Sequence, residues 1–224
     1  MTITQKSLTI ASPSIVSKTY NGSTTTGTIT PGTLSGVISP ETLSVTATGT
    51  YSNANVGTGK TATVVYTLAD GTNGGLATNY SLANGSGTGD ITAAPLTITG
   101  VTANNKTYDG TTAATLSGTA AYSGLVNGET FAVTGTPTAT FASANVGTGI
   151  AVTVTGYTAP NSNYSLTQPS LTANITSAGS TITATGTTSY TYNGLAQGPS
   201  TSTVTGSTGA VTYSYSGTGG TTYA

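Results

Sequence analysis

The sequence predicts an all-β protein: tandem small antiparallel β domains, sandwich-like or β-grasp-like without long helices, arranged as beads on a string. Three observations carry this expectation. Apolar residues recur with a period of two, turn signals are dense, and long stretches repeat along the chain. Leu43-Ser44-Val45-Thr46-Ala47, Val152-Thr153-Val154-Thr155 and Val211-Thr212-Tyr213-Ser214-Tyr215 alternate apolar and polar residues. That alternation puts one strand face against a core and the other in water. Thr and Tyr favour the strand even on the wet face. No stretch carries the Ala, Leu, Glu and Lys mixture that a helix wants.

Asn-Gly occurs at Asn21, Asn73, Asn84, Asn127 and Asn193, and Asp-Gly at Asp70 and Asp109. Such pairs tolerate positive φ and suit tight hairpins. One signature recurs three times, as Tyr20-Asn21-Gly22, Tyr108-Asp109-Gly110 and Tyr192-Asn193-Gly194. Its plain physical reading is a structural turn: the Tyr ends a strand and the next two residues reverse it.

The self-similarity extends well beyond this signature. Lys18-Thr19-Tyr20-Asn21-Gly22 returns as Lys106-Thr107-Tyr108-Asp109-Gly110, and Glu41-Thr42-Leu43 as Glu129-Thr130-Phe131. Ala54-Asn55-Val56-Gly57-Thr58-Gly59 returns as Ala144-Asn145-Val146-Gly147-Thr148-Gly149, and Asn79-Tyr80-Ser81-Leu82 as Asn163-Tyr164-Ser165-Leu166. Spacings between these motifs differ slightly, so loops have changed length. The expected units are residues 1–93, 94–177 and a truncated third copy over 178–224. The first two are long enough to hold their own cores. The third stops short of the later motifs, so the chain reads as a fragment of a longer array.

Composition narrows the function. The chain has 224 residues, net charge −1, 4 % charged residues and no His, Cys or Trp. Soluble domains carry about a quarter charged residues. No basic face is available for nucleic acid, and none for an anionic membrane surface. No apolar run is long enough to cross a bilayer, so membrane insertion is not expected. Strand-like residues follow Met1 directly, which places any export signal elsewhere. Without His or Cys there is no Ser-His-Asp or Cys-His site, and only carboxylates could bind metal. The acids Glu41, Asp70, Asp90, Asp109 and Glu129 never form a calcium-loop pattern. No catalytic residue, cofactor site or metal site is therefore expected. Gly57-Thr58-Gly59 and Gly147-Thr148-Gly149 resemble a phosphate loop only superficially, because neither opens a helix.

Two recurring features allow more than one reading. Lys18 and Glu41 repeat as Lys106 and Glu129 in a chain almost without charge. The plain reading is an ion pair worth about 0–1 kcal/mol. The sharper one is a Lys–Asn or Lys–Asp isopeptide crosslink with the Glu as proton shuttle. The repeat-equivalent tyrosines Tyr20, Tyr80, Tyr108, Tyr164 and Tyr192 read as packing residues, each needing a partner for its hydroxyl. Exposed tyrosines could instead stack on sugar rings.

The stretch at residues 106–112, together with Ala144–Gly149 and Asn163–Leu166, resembles the YDG repeat of haemagglutinin-like bacterial surface proteins. The first copy is similar, with Asn21 in place of the Asp. The third, through Tyr190-Thr191-Tyr192-Asn193-Gly194-Leu195-Ala196-Gln197-Gly198-Pro199, looks more like the related MBG module, often glossed as mucin-binding. The resemblance implies secretion, display on the bacterial cell surface and adhesion, and supplies no defined binding residue. The expected role is a structural or adhesive stalk whose partners are neighbouring repeats of the same chain and host or environmental glycans or mucins. The rival is a dedicated glycan- or mucin-binding module using exposed Tyr and Asn surfaces. An enzyme fragment would need converging acids in a deep pocket, and an ice-binding face would need a flat Thr lattice built from shorter repeats.

Overall fold

The computed structural model describes residues 2–187, 189–206 and 210–213. Its architecture is all-β, and the one helical element among these residues is a single 3-10 turn, Ala77–Asn79. Residues 6–92 and 94–176 build two units of the same design, and among the described residues no strand pairing crosses between them.

In the first unit, Lys6–Ile10 pairs antiparallel with Leu34–Ser35 and parallel with Tyr80–Leu82. A four-stranded sheet faces it, in the order Lys18–Thr19, Gly85–Thr92, Gly57–Asp70, Leu43–Tyr51. The second unit repeats both layers. Ala94–Ala103 lies between Leu116–Ser123 and Tyr164–Thr167, opposite a five-stranded sheet. That sheet runs Lys106–Thr107, Ser170–Thr176, Gly147–Thr158, Thr134–Phe141, Ala113–Ala114. The sheets are mixed rather than antiparallel throughout. Lys18–Thr19 and Lys106–Thr107 each run parallel to their neighbour, as do Lys6–Ile10 and Ala94–Ala103 to Tyr80–Leu82 and Tyr164–Thr167. The returning chain reaches these strands by crossing the domain, which hairpin signals in the sequence do not encode.

Period-two patterning builds the cores. Along Gly57–Asp70, Ala62, Val64 and Tyr66 are buried and the residues between them exposed. Val152 and Val154 of Gly147–Thr158 join Ile98, Phe141, Tyr157, Ala173 and Ile175 in the second core. The Gly-Thr-Gly stretches are bulges that re-aim this strand. Register slips between Gly57 and Lys60 and between Gly147 and Ile150, with Gly59 at φ 58° and Gly149 at φ 60°. A side-chain oxygen of the adjoining strand accepts the freed amide: Gly59 N–H donates to Asp90 (2.7 Å) and Gly149 N–H to Asn174 (2.8 Å). The motif is thus a structural bulge at a strand start.

The five-stranded sheet must curl. Lys106–Thr107 and Ala113–Ala114 sit at its opposite edges, yet few residues join them. Four strand spacings of about 4.8 Å span roughly 19 Å, close to the full reach of that short connection. Because the connection contains a tight turn, the edges can only be close if the sheet rolls toward a half-barrel. The first unit does the same with an isolated bridge, Thr25 to Thr50, reaching the far edge.

Beyond residue 177, Thr181–Thr185 and Thr201–Thr205 form an antiparallel hairpin, with Ile182 61 % exposed. Residues 188, 207–209 and 214–224 of the expected third unit lie outside the described residues.

Tyr51 and Phe141 end equivalent strands and are each 2 % exposed. The Tyr51 hydroxyl is buried without a hydrogen-bond partner among the described residues. A buried hydroxyl left unpaired costs about 1–3 kcal/mol. Tyr51→Phe should therefore leave stability unchanged or raise it by up to about 1 kcal/mol in urea denaturation. A clear loss would show that the hydroxyl has a partner.

Candidate functional site

The signature Lys-Thr-Tyr-Asn/Asp-Gly begins on an edge strand. Tyr20 N–H extends the parallel ladder to Thr92 O (2.8 Å), and Tyr108 N–H does the same to Thr176 O (2.8 Å). The next residue makes an Asx turn rather than a hairpin reversal. Asn21 Oδ1 accepts the Ser23 amide (3.1 Å), and Asp109 Oδ1 accepts the Thr111 amide (2.9 Å). Neither Asn21 nor Asp109 has positive φ; the following Gly22 (74°) and Gly110 (76°) do. Short Asx side chains make such turns because they imitate a backbone carbonyl two residues back.

The lysine clips this turn shut. Lys18 Nζ donates to Asn21 Oδ1 (2.9 Å) and Ser23 O (2.6 Å). Lys106 Nζ donates to Asp109 Oδ1 (2.7 Å), Thr111 O (2.7 Å) and Ala113 O (3.1 Å), and lies 5.7 Å from the Phe141 ring centre. The last carbonyl belongs to the opposite edge strand, so Lys106 spans the seam of the curled sheet. Burial holds the Lys18 ammonium below its ordinary pKa. Asp109 is lowered to about 2, first by Lys106 and then by the Thr111 amide and hydroxyl.

These contacts replace the expected Lys–Glu pairing. The one salt bridge among the described residues joins Lys106 to Asp109. Glu41 and Glu129 serve tyrosines instead: Tyr80 donates to Glu41 Oε2 (2.5 Å) and Tyr164 to Glu129 Oε2 (2.7 Å). A crosslink with either Glu shuttling a proton to a Lys therefore lacks its geometry. The lysines find a partner three residues on because the Asx turn brings the Asx oxygen and a backbone carbonyl two residues further on to one ammonium.

The four recurring motifs converge at the boundary between the units. Tyr20, only 7 % exposed, stacks edge-on against Tyr164 with ring centres 5.6 Å apart. Its hydroxyl donates to Glu129 Oε1, so one carboxylate of the second unit holds two tyrosines, one from each unit. Asn163, 8 % exposed, accepts from Val56 N–H (2.9 Å) and donates to Asn55 Oδ1 (3.2 Å). Gly22 faces Asn127 so closely that a Cβ there would lie 2.8 Å from the Asn127 Cβ. The shared core at this boundary contains Tyr20, Ile91, Ala94, Leu96 and Tyr164. The units keep separate sheets and are docked against each other, with Ala93 as the single residue between Gly85–Thr92 and Ala94–Ala103.

The other two copies of the signature are more exposed. Tyr108 is 45 % exposed, and a Cβ on Gly110 would meet nothing within 4 Å. Tyr192 is 67 % exposed, and Gly194 has φ 80°. Asn193 accepts from the Leu195 amide (3.0 Å) and from Gln197 Nε2 (2.8 Å), so Gln197 takes the lysine's place. Among the described residues, no group of three or more His, Cys, Asp or Glu could hold a metal ion.

The fold and the joint define a tandem array of curled two-layer β repeats that recognise one another end to end. A family model described as YDG domain matches residues 4–88 and 92–173, and the chain belongs to that family. No curated protein and no solved structure matches it.

Two predictions follow from this geometry. The Tyr20 hydroxyl is pushed up to about 12, chiefly by its bond to Glu129 and then by burial. Its folded-state value lies above the ordinary 10.0, so the joint's contribution is complete below pH 10.0 and is lost as pH rises toward about 12. Tyr20→Phe keeps the ring and removes the donor. It should cost about 1.5–3 kcal/mol in urea unfolding below that range, and flatten the alkaline loss of stability. Unchanged stability would mean that the joint does not depend on this bond. Acid should tell the two clips apart. The Asp109 contribution is present above 3.8 and is lost as pH falls through about 2, whereas Asn21 does not titrate. Amide resonances of Thr111 should shift with a midpoint at about 2 while those of Ser23 stay fixed. Equal movement of both would break the assignment.

Proposed function

We propose that this chain is a non-enzymatic structural segment, a stalk or spacer, of a large secreted bacterial surface adhesin. The observation that carries the reading is the docked joint of Tyr20, Tyr164, Glu129 and Asn163. A buried joint with a one-residue linker transmits load and direction from one repeat to the next, as a stalk requires. Low charge and abundant Ser and Thr suit a surface that stays hydrated without attracting ionic partners. Membership of the YDG family supports a binding or adhesive context. Its adhesin role, its secretion and the MBG nature of the third segment belong to this proposal.

The second reading is a glycan- or mucin-binding module. Exposed tyrosines favour it, and they gather in the third segment: Tyr190 (40 %), Tyr192 (67 %) and Tyr213 (40 %). Titrating the purified chain against mucin and a glycan array separates the two. A spacer should show no saturable binding tighter than about 1 mM. Tighter binding that Tyr192→Ala abolishes would transfer the function to the third segment. Antibody labelling of intact source cells should place the chain outside, and labelling only after lysis would defeat the surface role.

A further inference from the structure

We propose that the first unit carries, on its flank, a binding cleft for a neutral sugar bearing an acetamido group, an N-acetylhexosamine. The site lies apart from the joint and from the exposed tyrosines of the third segment. It neither requires nor excludes a stalk role, so the two readings fail separately.

The two units differ at one crossing point. The alignment that sets Asn79-Tyr80-Ser81-Leu82 against Asn163-Tyr164-Ser165-Leu166 also sets Asn84-Gly85 against Gln168-Pro169. Here the chain passes from one layer to the other, from Tyr80–Leu82 to Gly85–Thr92 and from Tyr164–Thr167 to Ser170–Thr176. In the second unit the Gln168 side chain closes this crossing. Its Oε1 accepts the Tyr157 amide (3.2 Å) and its Nε2 donates to the Tyr157 carbonyl (2.8 Å). One planar carboxamide thus bonds both backbone polar groups of a single strand residue, as a strand partner would. In the first unit the side chain is a methylene shorter. Asn84 is exposed and makes no hydrogen bond among the described residues. A cleft of about 330 Å³ opens there.

Leu8, Ile10 and Leu82 give the cleft an apolar wall, Ser12, Asn84 and Ser86 give it a polar rim, and no charged residue lines it. Tyr66 reaches it from the facing sheet. This residue is only 8 % exposed, yet its hydroxyl has no hydrogen-bond partner among the described residues and, unlike that of Tyr51, is not sealed from solvent. A hydroxyl on so buried a side chain calls for a partner. Gly85 permits the close packing of the ring, since a Cβ there would lie 3.1 Å from it.

A lining without charge favours a neutral polar ligand. Hydroxyls and a carboxamide exchange hydrogen bonds with sugar hydroxyls, and the apolar wall accepts a methyl group. Gln168 shows that an amide suits this position in the fold. An acetamido group on a pyranose ring supplies the hydroxyls, the methyl and the amide together. A cleft at the small end of the ligand range holds about one sugar residue.

Protein-observed NMR of the full chain tests this, with N-acetylglucosamine and N-acetylgalactosamine titrated to about 50 mM and glucose as control. For at least one acetamido sugar the amides of Ser12, Asn84 and Gly85 should shift and saturate with a Kd of about 1–10 mM, while those of Tyr157 and Gln168 stay fixed. Glucose should bind at least about tenfold more weakly. Asn84→Ala should weaken binding at least about fivefold, and Ser12→Arg, at an exposed position, should abolish it, with unchanged resonances elsewhere showing that each variant is folded. Tyr192→Ala should leave the titration as it is, which separates this cleft from a site in the third segment. No saturable shift with either acetamido sugar overturns the inference. So does equal binding of glucose, undiminished binding by either cleft variant, or loss of binding in Tyr192→Ala.

Discussion

The structure depends on bringing the two edges of a curled sheet together across a short connection. A rolled sheet exposes edge groups that seek partners, and a chain with 4 % charged residues has few side chains to supply them. The solution is a single ammonium surrounded by backbone and Asx oxygens. Lys106 reaches Asp109, Thr111 and Ala113, so strand start, turn and opposite edge share one donor group. Replacing the Asp by Asn21 in the first unit removes a charge and keeps the acceptor. The clip therefore works through geometry first and ion pairing second.

From the clip follows the placement of the tyrosine. The tyrosine just before the Asx continues the ladder by one amide, which fixes its backbone while its ring projects past the end of the sheet. At the internal boundary that ring meets Tyr164 and Glu129. A carboxylate holding two phenols inside an apolar joint is stable because both donors are neutral and the acceptor oxygens are both used. Asn163 adds directional bonds to Asn55 and Val56 that a slipped register would break. The apolar contacts give the joint its adhesion and the polar ones fix its rotation.

Much of the fold was legible in the sequence. Period-two alternation marked Leu43–Tyr51 and Gly57–Asp70, and the recurring motifs marked two like units. The parallel edge strands were not legible, because Lys18–Thr19 and Lys106–Thr107 are too short to carry a pattern and their partners lie far along the chain. Lysine and glutamate recurred together and invited pairing with each other. Their true partners are a neighbour three residues on and a tyrosine over thirty residues away, distances that a list of repeats does not rank. The spacing of Asn-Tyr after Glu, similar in both units, was the available sign that those motifs belong to one site. The contact between the units was not legible for a related reason. A motif that recurs in each copy points first to that copy's own fold, whereas Tyr20 and Asn55 also bond to the next unit.

The joint draws its residues from one unit and from its successor, and both units carry the Tyr, the Tyr–Glu pair and the Asn that build it. Duplication of a whole unit in the coding sequence would consequently bring these same residues to the new boundary. Overall reach can change by recombination in steps of one repeat, without any compensating substitution. The constraint falls instead on drift within a unit, because a change at the Tyr, the Glu or the Asn must suit whichever neighbour the next rearrangement supplies. Recurrence of Tyr20 as Tyr108, Glu41 as Glu129 and Asn79 as Asn163, beside the different spans between motifs, is the pattern that this form of inheritance produces.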